Sequence, residues 1–258
     1  RFANPQIDSV VRKIEDQPCK LGDYKIRNGL ATLSNDIYFF DQVGEDDDYY
    51  YRKYEGKLYP IEKGICIDVI KPNIIRKEAD IEKYKQKAIF PYRKDRELIE
   101  EERLTADYPM AYEFLLMNKE QLLRRDKGKA SKYVSWYAYG RTQGMKNQGK
   151  KLLIPYMAEK GIAVKSLDED MLFYCGYAVF CDDDEHMELL KILIESDVFS
   201  YYIKNTSKPY SKGYMALAKN YIKNFGIPKL EEQQKKQLFL LRGSERQALI
   251  KTIYGVDI

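Results

Sequence analysis

A chain of 258 residues is long enough for one large domain or two lobes, and 44% hydrophobic with 33% charged content excludes a disordered or fibrous polypeptide. The formal net charge of +4 is too small to argue for a polyanionic partner by itself. No apolar run is long enough to span a bilayer, and Cys19, Cys66, Cys175 and Cys181 lack C-x-x-C spacing, so the expectation is a soluble cytoplasmic protein with reduced, mostly buried thiols.

The first residue is Arg1, as expected of a piece of something longer. Ile7, Val10, Val11 and Ile14 recur at helical spacing and predict an amphipathic helix over 5–15. Leu21 to Phe40 reads as strands, with Asn28-Gly29 as a hairpin signal. Lys25, Arg27, Asn28 and Thr32 around that turn are candidate phosphate contacts. Asp46, Asp47 and Asp48 form an acidic loop, and beyond it Glu55-Gly56 joins two strands as a second hairpin. Cys66–Ile70 and Ala88–Tyr92 are short apolar strands. Pro109 starts a helix that carries Ala111, Phe114, Leu115, Leu122 and Leu123 inward, and Arg124 and Arg125 complement its C-terminal dipole.

Ser135 to Pro155 holds the single Trp. Trp136, Tyr137 and Tyr139 are core anchors. Arg141, Thr142, Gln143, Lys146, Asn147, Gln148, Lys150 and Lys151 supply hydrogen-bond forks and charge: Arg fits guanine O6/N7, Gln and Asn fit adenine N6/N7, and Lys meets phosphate. Gly140, Gly144 and Gly149 suit close backbone approach to a ligand. The competing reading is a solvated basic loop beside the strand Leu152 to Ile154. Three strands follow in 162–181, with Gly176 as a bend, then a helix over 187–199 extending toward Lys204. Lys208, Tyr210, Ser211, Lys212 and Tyr214 mix cations, hydroxyls and rings in a second candidate loop. After Pro228 the spacing predicts helices over 231–241 and 244–254.

Charge is uneven along the chain. Residues 119–165, with Lys129 and Lys132 among them, carry twelve basic against three acidic side chains, and 204–230 carries six lysines and no acid. Two such segments on one concave face would make a polyanion-binding surface. His186 is the only histidine, and no Gly-rich nucleotide fingerprint or Walker loop occurs, which favours a binding module over a self-contained enzyme. The acids of 46–48 and 182–185 leave open a metal-dependent nuclease, and the 23 Tyr leave open a protein-interaction domain.

Leu21-Gly22-Asp23 through Asn28-Gly29-Leu30-Ala31-Thr32, then Gly64 to Asn73, Ile89-Phe90-Pro91-Tyr92, Tyr108 to Tyr112, Trp136 to Gln143, and Phe225-Gly226-Ile227-Pro228 together resemble the C-terminal specificity region of TaqI-like and Eco57I-like adenine-N6 DNA methyltransferases of bacterial type II restriction-modification systems. The Trp-Tyr-x-x-Gly-Arg-x-Gln element is the most specific part. The resemblance implies an α+β fold with mixed or antiparallel β-rich lobes, packed helices and a helical C-terminal end. It also implies a division into a linker helix (1–20) from a catalytic domain absent from this chain, a DNA target recognition domain (21–230) and C-terminal helices (231–258). Double-stranded DNA is the implied partner, together with a covalently linked methyltransferase domain that binds S-adenosylmethionine. The family's Gly-rich cofactor motif and Asn-Pro-Pro-aromatic motif do not occur here, so no catalytic or cofactor-binding residue is carried over.

Overall fold

The computed structural model describes residues 4–128 and 133–258; Lys129 and Lys132 of the first basic segment lie outside the described residues. The first half runs α1 (Pro5–Glu15), β1 (Cys19–Lys20), β2 (Lys25–Asn28), α2 (Asn35–Tyr38), β3 (Phe39–Phe40), β4 (Gln42–Glu45), β5 (Tyr49–Tyr54), β6 (Lys57–Glu62), β7 (Cys66–Ile70), α3 (Ala79–Tyr84), β8 (Gln86–Ile89), α4 (Glu101–Asp107), α5 (Pro109–Met117), α6 (Lys119–Leu123) and the kinked turn α7 (Arg125–Gly128). The second half runs β9 (Lys151–Pro155), β10 (Met157–Ala158), β11 (Val164–Ser166), β12 (Leu172–Phe173), β13 (Gly176–Phe180), α8 (Asp184–Ile194), α9 (Asp197–Thr206), β14 (Met215–Ala216), α10 (Lys219–Ile222), β15 (Gly226–Ile227), α11 (Glu232–Leu240) and α12 (Gly243–Tyr254). The result is a mixed α/β fold with several small sheets.

A four-stranded antiparallel sheet, ordered β11-β9-β13-β2, lies between two apolar layers. The two-residue period of a strand sorts its side chains. Leu152, Ile154, Val179 and Ile26 face a core built by α1, α8, α9, α11 and α12, while Leu153, Val164 and Ala178 face Ile70, Ile75 and Phe173. The chain before Leu21 and after Leu230 thus shares one core with the central sheet, through Val11, Ile14, Leu238, Ile250 and Tyr254. A second four-stranded sheet, β12-β7-β8-β3, backs an aromatic core with α4, α5 and α6, and the meander β4-β5-β6 packs at its side.

Several local expectations hold. Helix α1 spans Pro5–Glu15, with the Asn4 side chain accepting the Gln6 N–H at its start. The Glu55-Gly56 hairpin forms with both residues at positive φ, 47° and 81°. The helix expected over 109–125 breaks at Asn118, whose side-chain amide donates to the Phe114 carbonyl and accepts from the Tyr54 hydroxyl. Similarly, α8 and α9 separate at Ser196, whose hydroxyl caps α9 through the Phe199 N–H.

Asn28-Gly29 is not a hairpin. Strand β2 pairs with the distant β13, Asn28 opposite Tyr177, and Leu30 bridges to Tyr174. Gly29 serves a close approach: a Cβ there would sit 2.3 Å from the Phe173 carbonyl oxygen. The thiols also differ from expectation, with Cys19 exposed and the other three half-buried, all free. No helix among the described residues is long and apolar enough to cross a membrane.

Lys151 opens β9 at 0% exposure, its ammonium donating to the Asp168 carbonyl at 2.9 Å. Burial pulls its pKa down to about 8, against the pull of the nearby Asp168, Asp170 and Glu169 carboxylates. The ordinary value is 10.5, so between about pH 8 and 10.5 the unfolded chain holds a proton that the folded chain has released, and stability rises with pH over that window. In urea unfolding, the stability of the protein relative to a Lys151→Met variant should climb from pH 8 to pH 10. A difference that is flat with pH would remove this role.

Candidate functional site

The Trp136–Gly140 stretch is a loop shaped by one buried cation. Arg125 is 5% exposed and faces no carboxylate. Its guanidinium donates to four backbone carbonyls: Leu122 at 2.8 Å, Thr32 at 2.8 Å, Ala138 at 2.9 Å and Trp136 at 2.7 Å. The planar five-donor fork suits this task, since each carbonyl would otherwise be buried and unpaired. Sequence reading placed Arg125 on the surface as a dipole-complementing cation; it is an internal clamp.

Tyrosine hydroxyls complete the loop. Tyr38 donates to the Tyr137 carbonyl, Tyr137 to Ile99 and Tyr139 to Ile89, while the Tyr92 hydroxyl accepts the Tyr139 N–H at 2.6 Å. Burial pushes the Tyr92 hydroxyl up to about 12, so it stays protonated at neutral pH. Trp136 rests edge-on against Tyr112 and Tyr137 and donates its indole N–H to Glu101. The backbone then bridges to the strand-like 31–32 segment, Arg141 N–H to Ala31 and Gly140 N–H to Thr32.

Residues 143–146 form a 3-10 turn with Met145 buried beneath it, leaving Gln143 and Lys146 exposed. Gly144 lies against Gly29, where a Cβ would meet the Gly29 carbonyl oxygen at 2.5 Å. Its small size thus serves backbone packing within the protein, not approach to a ligand.

This loop forms one wall of a cleft of about 430 Å³ whose opposite wall is the turn Asp95–Leu98. A second cleft of about 550 Å³ adjoins, lined by Lys94, Arg96, Gln148, Asp68, Asp168 and Asp170, and Arg96 borders both. Arg141, Thr142, Gln143 and Lys146 of the candidate set therefore come together, with Gln148 next door. Thr142, Gln143 and Lys146 have no side-chain hydrogen-bond partner among the described residues. Arg141 does: it pairs with Asp126 at 3.2 Å and donates to the Gly140 carbonyl.

Other candidates have internal work. Thr32 is fully buried, donating to Asn35 and accepting from the Ser34 N–H. Asn147 is 2% exposed and donates to the Asn28 carbonyl, so it braces β2 against the loop. Lys151 is the buried ammonium of β9. These three are corrections to a surface reading, because alternation along a basic stretch turned some polar side chains inward. Gln148 donates to Asp170, and Lys150 pairs with Asp184 at 2.9 Å.

Lys25 and Arg27 lie on the outer edge strand β2, exposed because Ile26 takes the helix-facing position; Lys25 sits 4.7 Å from the Phe180 ring centroid. Asn28 lines a shallow hollow of about 390 Å³ with Tyr177, Lys219, Asn220 and Lys223. Lys208 to Tyr214 forms a separate tight hairpin: Tyr210 N–H donates to the Tyr214 carbonyl, Lys212 turns at φ 61°, and Lys208 lies over the Tyr210 ring. Ser211 and Lys212 are exposed at its tip and Tyr214 is half-buried. None of its side chains lines either cleft beside Arg96, so the two basic segments are not brought into one cleft. They are joined only indirectly, by β10 pairing with β14 and by Tyr177, which has Asn28 as its strand partner and Tyr210 as a neighbour.

Sequence reading missed Lys94 and Arg96. Tyr92-Arg93-Lys94-Asp95-Arg96 is a visible basic run, yet it falls outside the two segments selected by net charge. The acids weighed for metal binding have local structural roles: Asp46 accepts from the Asp48 and Tyr49 N–H groups and the Tyr51 hydroxyl, and Asp183 caps α8 through the His186 N–H. Among the described residues no three His, Cys, Asp or Glu side chains are grouped to hold a metal.

No family model matches the chain. Over 142 residues, 49% of this chain and 14% of the relative, it is 29% identical to the type II restriction enzyme and methyltransferase RM.Eco57I of Escherichia coli, a homology to restriction-modification enzymes. Its fold is similar to part of the type IIL restriction-modification enzyme MmeI, solved in complex with DNA (TM-score 0.58, 10% identity, 91% of this chain and 33% of that one). It is also similar to part of the type IIG restriction endonuclease BpuSI (TM-score 0.54, 12% identity, 97% and 31%). The chain thus spans about a seventh of the curated relative and about a third of each solved structure.

Arg125→Met should lower unfolding free energy by about 3–5 kcal/mol, since the clamped carbonyls lose charge-assisted bonds worth about 1.5–3 kcal/mol each before relaxation. Trp136, the single Trp, reports the same event, and its emission should shift to the red. Unchanged stability and emission would mean that the loop holds itself.

Proposed function

We propose that this chain is the DNA target recognition module of a type II restriction-modification enzyme, selecting a short duplex sequence for an adenine-N6 methyltransferase domain to which it is covalently linked. The observation that carries this reading is the cleft between residues 95–98 and 138–146, where Gln143, Thr142 and Lys146 stand exposed and unpaired on a loop held rigid from beneath. A base reader needs that combination, because side chains pre-positioned on a fixed backbone discriminate base edges without a large ordering cost. Homology to RM.Eco57I and a fold similar to MmeI, solved with DNA, support the assignment.

In this reading the Gln143 amide spans adenine N6 and N7 in the major groove, with Thr142 beside it. Lys146, Lys94, Lys25, Arg27, Lys208 and Lys212 meet phosphates, and Ser211, Tyr210 and Tyr214 add hydroxyl or stacking contacts from the separate hairpin. Residues 21–230 carry recognition, residues 1–20 lead in from the catalytic domain, and residues 231–258 brace the core. S-adenosylmethionine binds that other domain, which receives the target adenine flipped from the duplex.

The two kinds of contact separate in a binding titration. Lys146→Ala should weaken binding to all duplexes alike and flatten the dependence of log affinity on log salt by about 0.9. Gln143→Ala should leave that slope alone and cost about 1–3 kcal/mol at a single base pair. Unchanged DNA affinity in both variants would remove the cleft from the interface.

A further inference from the structure

Four arginines stand in or beside the cleft, and three are already committed. Arg125 is buried among carbonyls, Arg141 is paired with Asp126, and Arg93 is paired with Asp95 at 3.4 Å. Arg96 has no hydrogen-bond or ion-pair partner among the described residues. The neighbouring Asp95 carboxylate is turned away to Arg93 and to the Glu97 N–H. The Arg96 guanidinium lies 5.3 Å from the Phe90 ring centroid and borders both clefts.

Its backbone is as telling as its side chain. Arg96 has φ 70°, a left-handed conformation in which Gly or Asn is at ease and a long side chain is not. The chain keeps Arg at a position where turn chemistry alone would select otherwise, which points to a use for the guanidinium. The turn is also firmly built. Arg93 N–H donates to the Glu97 carbonyl, Arg96 N–H to the Arg93 carbonyl, and Tyr92 bridges to Leu98. The Tyr92 hydroxyl, accepting from the Tyr139 N–H, ties this turn to the opposite wall of the cleft. Arg96 and Gln143 are therefore held in fixed register across one gap.

We propose that Arg96 is a specificity-determining residue that reads a guanine, its planar fork spanning O6 and N7 in the major groove while Gln143 reads its own base from the facing wall. The inference rests on the DNA-recognition reading of the cleft and deepens it. A free, pre-oriented guanidinium on a rigid turn has the geometry for bidentate recognition, and stacking on Phe90 fixes its plane without consuming its donors. Arg141, the leading guanine candidate from sequence, becomes a structural residue because Asp126 and Gly140 occupy its fork.

The test is selection of this chain and its variants from a randomised duplex pool, followed by a salt titration on the selected site. The chain itself should enrich one motif that contains a guanine. Arg96→Lys, which keeps the charge and loses the fork, should lose preference at that guanine by roughly 5- to 140-fold with the other positions intact. Arg96→Gly suits the left-handed backbone and should fold while losing the same preference. If the chain enriches a motif and both variants keep it unchanged, Arg96 is no base reader, although the recognition reading stands. If preference survives while affinity for every duplex falls and the salt slope flattens by about 0.9, Arg96 is a phosphate contact and the guanine assignment is overturned. If the chain itself binds no duplex, the recognition reading and this inference fall together.

Discussion

The candidate site depends on a buried guanidinium that has no acid to pair with. Arg125 gathers carbonyls from the end of α6, from Thr32 and from two positions of the Trp136–Ala138 loop, and so joins three segments distant in sequence. A lysine could not do this, since a point charge on a flexible stem cannot present several coplanar donors at once. A carboxylate partner would saturate the fork and leave the carbonyls orphaned. The arrangement fixes where residue 140 leaves the core, and everything exposed from Arg141 to Gln148 inherits that position.

Tyrosine explains itself in the same terms. Tyr38, Tyr137 and Tyr139 each bury a ring and send a hydroxyl to a loop carbonyl, so the aromatic core and the loops are one construction. Arg52 repeats the idea in the meander: it is 1% exposed, lies over Phe114, and donates to the Ile37 and Asp36 carbonyls. Burial draws its pKa down to about 10, which leaves it charged at neutral pH. Such residues look like surface cations in a sequence because their charge is visible and their carbonyl partners are not.

Legibility in the sequence followed the range of the interactions. Helix α1, the Glu55-Gly56 hairpin and the strand-forming parts of 66–70, 151–155 and 176–180 are set by local periodicity and turn chemistry, and these could be read. Asn28-Gly29 misled because its glycine answers to Phe173, far along the chain. Within the site, Arg141, Gln143 and Lys146 were found from residue type. Burial of Thr32, Asn147 and Lys151 was not, since facing direction depends on the pairing of β9 and on the packing of residues 28–32 against 144–147. Net charge over a window also counted cations that are already matched, such as Lys150 by Asp184, and overlooked Lys94 and Arg96, whose turn carries balancing acids.

The central claim is that the wall formed by residues 93–97 and the wall formed by residues 140–148 close on the same DNA. Backbone hydrogen exchange of this chain, free and with a selected duplex bound, tests it most directly. Slowed exchange in both segments, with the Lys208–Tyr214 hairpin less affected, is the expected result. Bound DNA that slows exchange only in that hairpin, and in neither wall of the cleft, would contradict it.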